Sequence, residues 1–335
     1  MTRLPDPLHD ISAEIDRAHE RRREPPREHL GCSIAGHPCD RWLWLSFRWA
    51  VIEKFPGRVL RVFRRGRNEE ATVLDDLRAA GMVIVDTQRR VFGEHFGGSL
   101  DGVIVSGVPE APIKHHVLEI KTHSSKSFSD LQKKQVEKAK PMHWAQMQLY
   151  MLGTGIDRAL YFAVCKDDDS IYTERVKFDK AAAHKLRDRA WSIIHSPRLP
   201  PPISTDPTWY QCRFCPAQKF CHDTGRDNAP LRGMTLEVNC RTCTHSTPLP
   251  DGTWRCERHE SDGIPADFQR TGCDDHVLHP DLVPWKLDQD ASTAETAVYI
   301  IEGEKVANGN PATGASSSKE LVRLVLNDVD IEIPY

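Results

Sequence analysis

Apolar residues in this chain fall into short runs whose spacing changes between period two and period 3.6. Leu8, Ile11, Ile15 and Ala18 recur at helical spacing, which predicts a lead-in helix over residues 8–23 that Pro25-Pro26 terminates. A second helix is predicted to open at Gly66, continue through Val73, Leu74 and Leu77 and end near Gly81. Residues 82–85, 91–96, 103–105 and 117–120 read as four strands. Gly107, Pro109 and Pro112 break the chain between the last two as a hairpin connection does, and Gly93, Gly97 and Gly98 allow close backbone approach or a bulge. Beyond them come a helix from Pro141 to about Gly153, strands over 158–164 and 171–178 joined by the turn Asp167-Asp168-Asp169-Ser170, and a long helix over 180–194. Helix, a run of strands, helix and further strands in this order predict an α/β fold with a mixed central sheet flanked by helices.

At 335 residues with 39% hydrophobic content the chain can bury a substantial core, in one large domain or two to three modules. A formal net charge of -3 excludes a uniformly basic nucleic-acid coat, so any contact with DNA has to come from local patches. One such patch runs from Lys54 through Arg58, Arg61, Arg64, Arg65 and Arg67; its alternative reading is a solvated arginine-rich helix face. The ten cysteines include two close pairs, Cys212/Cys215 and Cys240/Cys243, with the spacing of metal ligands rather than of a disulfide framework. With no apolar segment after Met1, this points to a reducing cytoplasm, and no run approaches the roughly 18 apolar residues of a membrane span.

The candidate chemistry centres on Asp101 and on Glu119-Ile120-Lys121. Adjacent strands would bring the two acids together, and alternation places Glu119 and Lys121 on one face with Leu118 and Ile120 on the other. Two carboxylates beside an ammonium suit a hard divalent cation, Mg²⁺ or Mn²⁺, and a phosphate bound there. The pattern resembles the PD-(D/E)xK nuclease superfamily, and within it the RecB-like exonucleases with an iron–sulfur cluster. The resemblance covers residues 31–222 and implies a restriction-endonuclease-like core. It implies that Asp101, Glu119 and the Ile120 carbonyl hold the metal, that Glu70, four residues beyond Gly66, completes the site with Glu69 as its rival, and that Lys121 acts on the attacking water. Gln146 and Tyr150, four apart on one helical face, match the Gln-x-x-x-Tyr motif that lies beside the active site in this group.

Cys212, Cys215 and Cys221 supply three thiolates, whereas a 4Fe–4S cluster takes four. In iron–sulfur RecB-like nucleases one cysteine precedes the core and three follow it; Cys39, directly before Asp40-Arg41, is the matching position, and a zinc site with the same ligands is the alternative. Such a cluster would close a loop from residue 39 to residue 212 and remove about 5 kcal/mol of denatured-chain entropy. Cys32 lies outside the pattern and reads as a small buried residue. Further on, Cys240, Cys243, Cys256 and Cys273 suit a tetrahedral zinc site over residues 236–285, with His245, His259 or His276 as possible substitutes. That segment is too short for a large core and is expected to need its metal to fold. Residues 286–335 read as a small α/β element with a flexible Gly/Asn/Ser-rich tract over 303–318, available to a protein partner.

The expected organisation is therefore a lead-in helix (1–30), a nuclease core closed by a cluster (31–222), a zinc module (236–285) and a C-terminal element (286–335). The expected function is a metal-dependent DNA exonuclease of recombination, repair or phage-type DNA processing, with DNA phosphates contacted by Arg61, Arg64, Arg65 and Arg67. A DNA-binding relative without turnover and an iron–sulfur redox protein are the alternatives; no dinucleotide-binding Gly-x-Gly-x-x-Gly supports the second.

Overall fold

A computed structural model of the chain describes residues 10–222 and 236–326. The expected linker over 225–233 and the chain beyond 326 lie outside the described residues, as does the start of the lead-in helix. In chain order the elements are α1 (Ile11–Arg21), β1 (Leu30–Gly31), α2 (Cys32–Ala35), α3 (Asp40–Phe47), α4 (Gly57–Ala79), β2 (Val83–Val85), β3 (Arg90–Val91), β4 (Phe96–Ser99), β5 (Gly102–Ser106) and β6 (His116–His123). They continue with α5 (Ser125–Ala139), α6 (Pro141–Thr154), β7 (Arg158–Cys165), β8 (Ile171–Lys177), α7 (Lys180–Ile194), α8 (Tyr210–Arg213) and α9 (Gln218–His222). The C-terminal part adds β9 (Ser246–Pro248), β10 (Trp254–Cys256), α10 (Ala266–Gln269), β11 (Lys286–Leu287), β12 (Ala297–Ile301), β13 (Glu304–Asn308) and α11 (Ser318–Leu326).

The central sheet has five strands in the order β2-β5-β6-β7-β8, antiparallel except for the parallel β6–β7 pair. This is the mixed α/β architecture that the alternation of patterns predicts. Both faces are covered, which is why β7 reads as a nearly continuous apolar run. On one face Leu118, Ile120, Leu160, Phe162 and Val164 pack against Val73 and Leu77 of α4. On the other, Val117, Tyr161 and Ala163 join a larger core with Phe128 of α5 and Met147, Leu149 and Tyr150 of α6.

Three expectations need correction. Helix α4 starts at Gly57, with Pro56 at its N-cap, so Gly66 sits inside it; Val59, Val62 and Phe63 already carry helical spacing through the arginine-rich first half. The strand expected over 91–96 is two short strands, β3 and β4, because Phe92 and Glu94 adopt φ of 59° and 61° and turn the chain back on itself. The tract over 303–318 is not simply a flexible loop: Glu304–Asn308 pairs antiparallel with β12 through five residues. Helix α1 forms with Asp10 as its cap, yet buries none of its residues, and Ile11 remains 75% exposed.

The C-terminal part shares the larger core, to which it contributes Trp254, Val277, Leu278, Tyr299 and Leu321. Its fastening to α3 is cationic. Arg241, only 2% exposed, donates to the Phe47 and Glu28 carbonyls, both at 3.0 Å, and to Gln269 at 2.8 Å, with its guanidinium 3.6 Å from the centre of the Trp49 ring. Burial pushes this guanidinium down to about 9. Among the described residues no helix is long and apolar enough to cross a membrane.

Candidate active site and cysteine clusters

Antiparallel pairing of Gly102 with Leu118 brings Asp101, the next residue back along β5, alongside Glu119. Asp101 Oδ2 accepts the Ile120 N–H at 2.7 Å. Glu119 is fully buried, and its two carboxylate oxygens have no hydrogen-bond partner apart from the ion pair of one with the Lys121 ammonium. The same ammonium donates to the Ile120 carbonyl at 3.2 Å. A positive charge thus bridges the two oxygens that the sequence assigns to a metal.

The field at this place follows from burial. Desolvation is the main cause that pushes the Glu119 carboxyl up to about 7; the Lys121 charge opposes it and the Asp101 and Glu70 charges add to it. Burial raises Asp101 as well, against Lys121 and the Ile120 N–H. For Lys121 burial works against the ammonium, but Glu119, Asp101 and Glu70 together outweigh it, and its pKa rises. Glu70 on α4 belongs to this group: burial and the Asp101 charge raise its carboxyl, and Gln88 donates to it at 2.7 Å.

A cation-seeking site is what such a set amounts to chemically. A desolvated carboxylate is costly to keep charged, and a cation beside it offsets the cost, as the Lys121 ammonium does for Glu119. Among the described residues no three His, Cys, Asp or Glu side chains are drawn together closely enough to hold a single ion as they stand. Each carboxylate is instead engaged by a protein donor: Asp101 by Ile120, Glu119 by Lys121 and Glu70 by Gln88.

Gln146 and Tyr150 lie on α6 against this face. Gln146 donates to the Tyr150 hydroxyl at 3.1 Å, which in turn donates to the Ser99 carbonyl at 2.9 Å. Gly98 makes room for that bond, since a Cβ there would stand 2.6 Å from the hydroxyl oxygen. The site face also carries residues that sequence reasoning missed. Parallel register sets Tyr161 beside Glu119, and His123 is the next same-face residue of β6 after Lys121. His123 Nε2 and His143 Nδ1 lie 2.9 and 2.8 Å from the Tyr161 hydroxyl, and His123 Nδ1 lies 3.0 Å from Ser127 Oγ. Desolvation and neighbouring lysines push His123 to about 4 and His143 to about 3, so both rings are neutral at pH 7. The available signals were the spacing of two from Lys121 to His123 and of three from His143 to Gln146.

The arginines expected to meet DNA are largely engaged. Arg61 pairs with Asp16 of α1, Arg64 approaches His19 at 3.4 Å and Arg65 donates to the Lys166 carbonyl at 2.9 Å, whereas Arg67 is exposed.

Cys39 at the start of α3, Cys212 of α8, Cys215 in the turn that follows it and Cys221 of α9 line one small, mainly apolar cavity, together with Trp42 and Ile203. Burial, reinforced by the other thiols, raises Cys215 to about 11 and also raises Cys212 and Cys221. Thiolate is the donor type an iron–sulfur cluster would take; the four thiols line the same cavity, without forming a group that could hold a metal ion as they stand. Cys240, Cys243, Cys256 and Cys273 form a second neighbourhood: burial raises Cys240 to about 11 and Cys243 to about 12, and in both the charges of Cys273 and Cys256 add to it. His259 Nε2 stands 3.9 Å from the Cys273 sulfur. Thiolates are the donor type zinc would take here, and as they stand these four are not drawn together closely enough to hold an ion.

No family model and no curated protein matches the chain. Among solved structures it is similar to an alkaline exonuclease, LHK-Exo, from Laribacter hongkongensis, at 16% identity over 54% of this chain and 89% of that one, with a TM-score of 0.33. It is also similar to SSO0001, at 15% identity over 64% and 97% with a TM-score of 0.39, and to a phage related exonuclease from Haemophilus somnus 129PT, at 19% over 39% and 68% with a TM-score of 0.29. At such identities and scores, fold and chemistry rest on the chain's own residues.

Proposed function

We propose that the protein is a metal-dependent deoxyribonuclease, an exonuclease of the PD-(D/E)xK type with a RecB-like core. The observation that carries this reading is the Glu119 carboxylate, fully buried and without a hydrogen-bond donor other than Lys121, one residue from the backbone carbonyl that shares the same ammonium. Asp101, Glu119 and the Ile120 carbonyl would hold Mg²⁺ or Mn²⁺, with Glu70 completing the set. When bound, the ion lowers the pKa of a water and offsets charge developing on the phosphoryl oxygens. Lys121, released from its two oxygens, orients the attacking water and neutralises the scissile phosphate. Gln146 and Tyr150 seat the strand through a hydroxyl held by the Ser99 carbonyl. Neutral His123 and His143 keep that face free of further cationic charge.

Cys39, Cys212, Cys215 and Cys221 would hold a 4Fe–4S cluster as a structural staple, and Cys240, Cys243, Cys256 and Cys273 a zinc ion. The test is digestion of end-labelled single- and double-stranded oligonucleotides with Mn²⁺. Processive loss of nucleotides from an end, abolished by chelation and by Asp101→Ala, is expected; an intact substrate with wild-type protein carrying its metals refutes the reading.

A further inference from the structure

Helix α5 follows β6 directly and carries Lys126 and Lys133, and Lys140 stands just after its end. Its outer side borders an open groove of about 640 Å³ lined by Lys126, Lys133 and Lys140 with Ser127, Ser129 and Asp130. Among the described residues none of these three lysines has an ion-pair partner, while Asp130 is paired with Lys134 at 2.7 Å. The groove therefore keeps a net positive charge. On α4, by contrast, Arg61 is paired with Asp16, and Arg64 and Arg65 are engaged by His19 and a backbone carbonyl.

The groove adjoins the site face. Ser127 Oγ meets His123 Nδ1 at 3.0 Å, and His123 lies two residues, about 6.6 Å of strand, beyond Lys121. Lys140, which also lines the groove, immediately precedes α6 and lies three residues before His143, whose ring reaches the Tyr161 hydroxyl. Among the described residues no aromatic ring lines the groove; Phe128, the aromatic residue of α5, is 5% exposed and belongs to the core. Ammonium and hydroxyl groups without a stacking platform recognise phosphate oxygens and ignore the bases.

We infer that the α5 groove is the seat of the substrate strand next to the scissile phosphate, binding two or more of its backbone phosphates without regard to sequence. The inference rests on the nuclease reading for its substrate but not for its chemistry. Binding of a fluorescent single-stranded oligonucleotide to the metal-loaded protein, with Ca²⁺ replacing Mg²⁺ at the active site, is measured by anisotropy across a salt series. Wild type is compared with Lys126→Ala/Lys133→Ala, both residues being exposed, and with Arg61→Ala/Arg64→Ala. Each lost phosphate contact reduces the slope of log affinity against log salt by about 0.7, so the lysine variant should lose about 1.4 of slope, equally for homopolymers of different base, while the arginine variant changes it by less than half of that. An unchanged slope in the lysine variant, or a wild type that does not bind, overturns the inference. If wild type binds with the lysine-dependent slope but does not cleave with Mn²⁺, the groove stands and the nuclease reading fails; if it cleaves with a slope indifferent to the lysines, the reverse holds.

Discussion

Glu119 sets the energetics of the site. Its raised pKa means that a metal ion binding below about pH 7 must first displace a proton, whereas above that pH it meets a free carboxylate. Mn²⁺ affinity, measured by titration calorimetry or thermal shift, should therefore rise up to about tenfold per pH unit towards pH 7 and level off above it. An affinity independent of pH between 5.5 and 7 would remove Glu119 from the ligand set. Substituting Asp101, Glu119 or Lys121 by Ala is expected to lower Mn²⁺-dependent cleavage by at least about 10²-fold with the circular dichroism spectrum retained. His95 provides a second titration. Burial pushes it down to about 4, against the ordinary 6.5, and its Nε2 lies 3.0 Å from the Thr253 carbonyl. A depressed folded-state pKa contributes stability that is present above pH 6.5 and lost as pH falls towards 4, because the unfolded chain takes up the proton first. Glu119, raised rather than depressed, acts with the opposite sign, so the comparison that isolates His95 is with His95→Gln. That variant should lose less stability between pH 6.5 and 4 than wild type in denaturant titrations.

Elements built from alternating apolar residues were legible, and those shaped by backbone conformation or by partner choice were not. β5 and β6 follow from the alternation around Val103 and Val117, and the acids they carry follow with them. The hairpin of β3 and β4 was hidden, because positive φ at Phe92 and Glu94 leaves no trace in side-chain chemistry. Half the polar site face was hidden too: His123, Tyr161 and His143 meet only because β6 and β7 pair in parallel with Glu119 opposite Tyr161, a register that nothing local encodes. The approach of β4 to α6 at Gly98 is a test at this scale. Gly98→Ala forces its Cβ onto the Tyr150 hydroxyl and is expected to cost about 1–3 kcal/mol. Tyr150→Phe loses only the bonds to Ser99 and Gln146, about 0.5–1.5 kcal/mol. Equal stability of Gly98→Ala and wild type in urea would contradict the packing described.

Across the whole molecule, the C-terminal part joins the core around the central sheet by shared burial. Arg241 stands between Cys240 and Cys243 and reaches across to Trp49 and the end of α3, so the second cysteine neighbourhood and the core are mechanically one body. Arg241→Ala leaves three carbonyl or amide acceptors without their donor and should cost about 3 kcal/mol, with proteolysis beginning near residue 236. The parts expected as separate modules were read from cysteine spacing and composition, and neither shows which apolar faces will meet. The central claim is that the oxygens now bridged by Lys121 are a divalent metal site. Anomalous scattering from crystals soaked in Mn²⁺ tests it most directly: the account predicts a peak bounded by Asp101, Glu119 and the Ile120 carbonyl with the Lys121 ammonium displaced from both oxygens, and a Mn²⁺-soaked crystal with no peak there and that ammonium unmoved would contradict it.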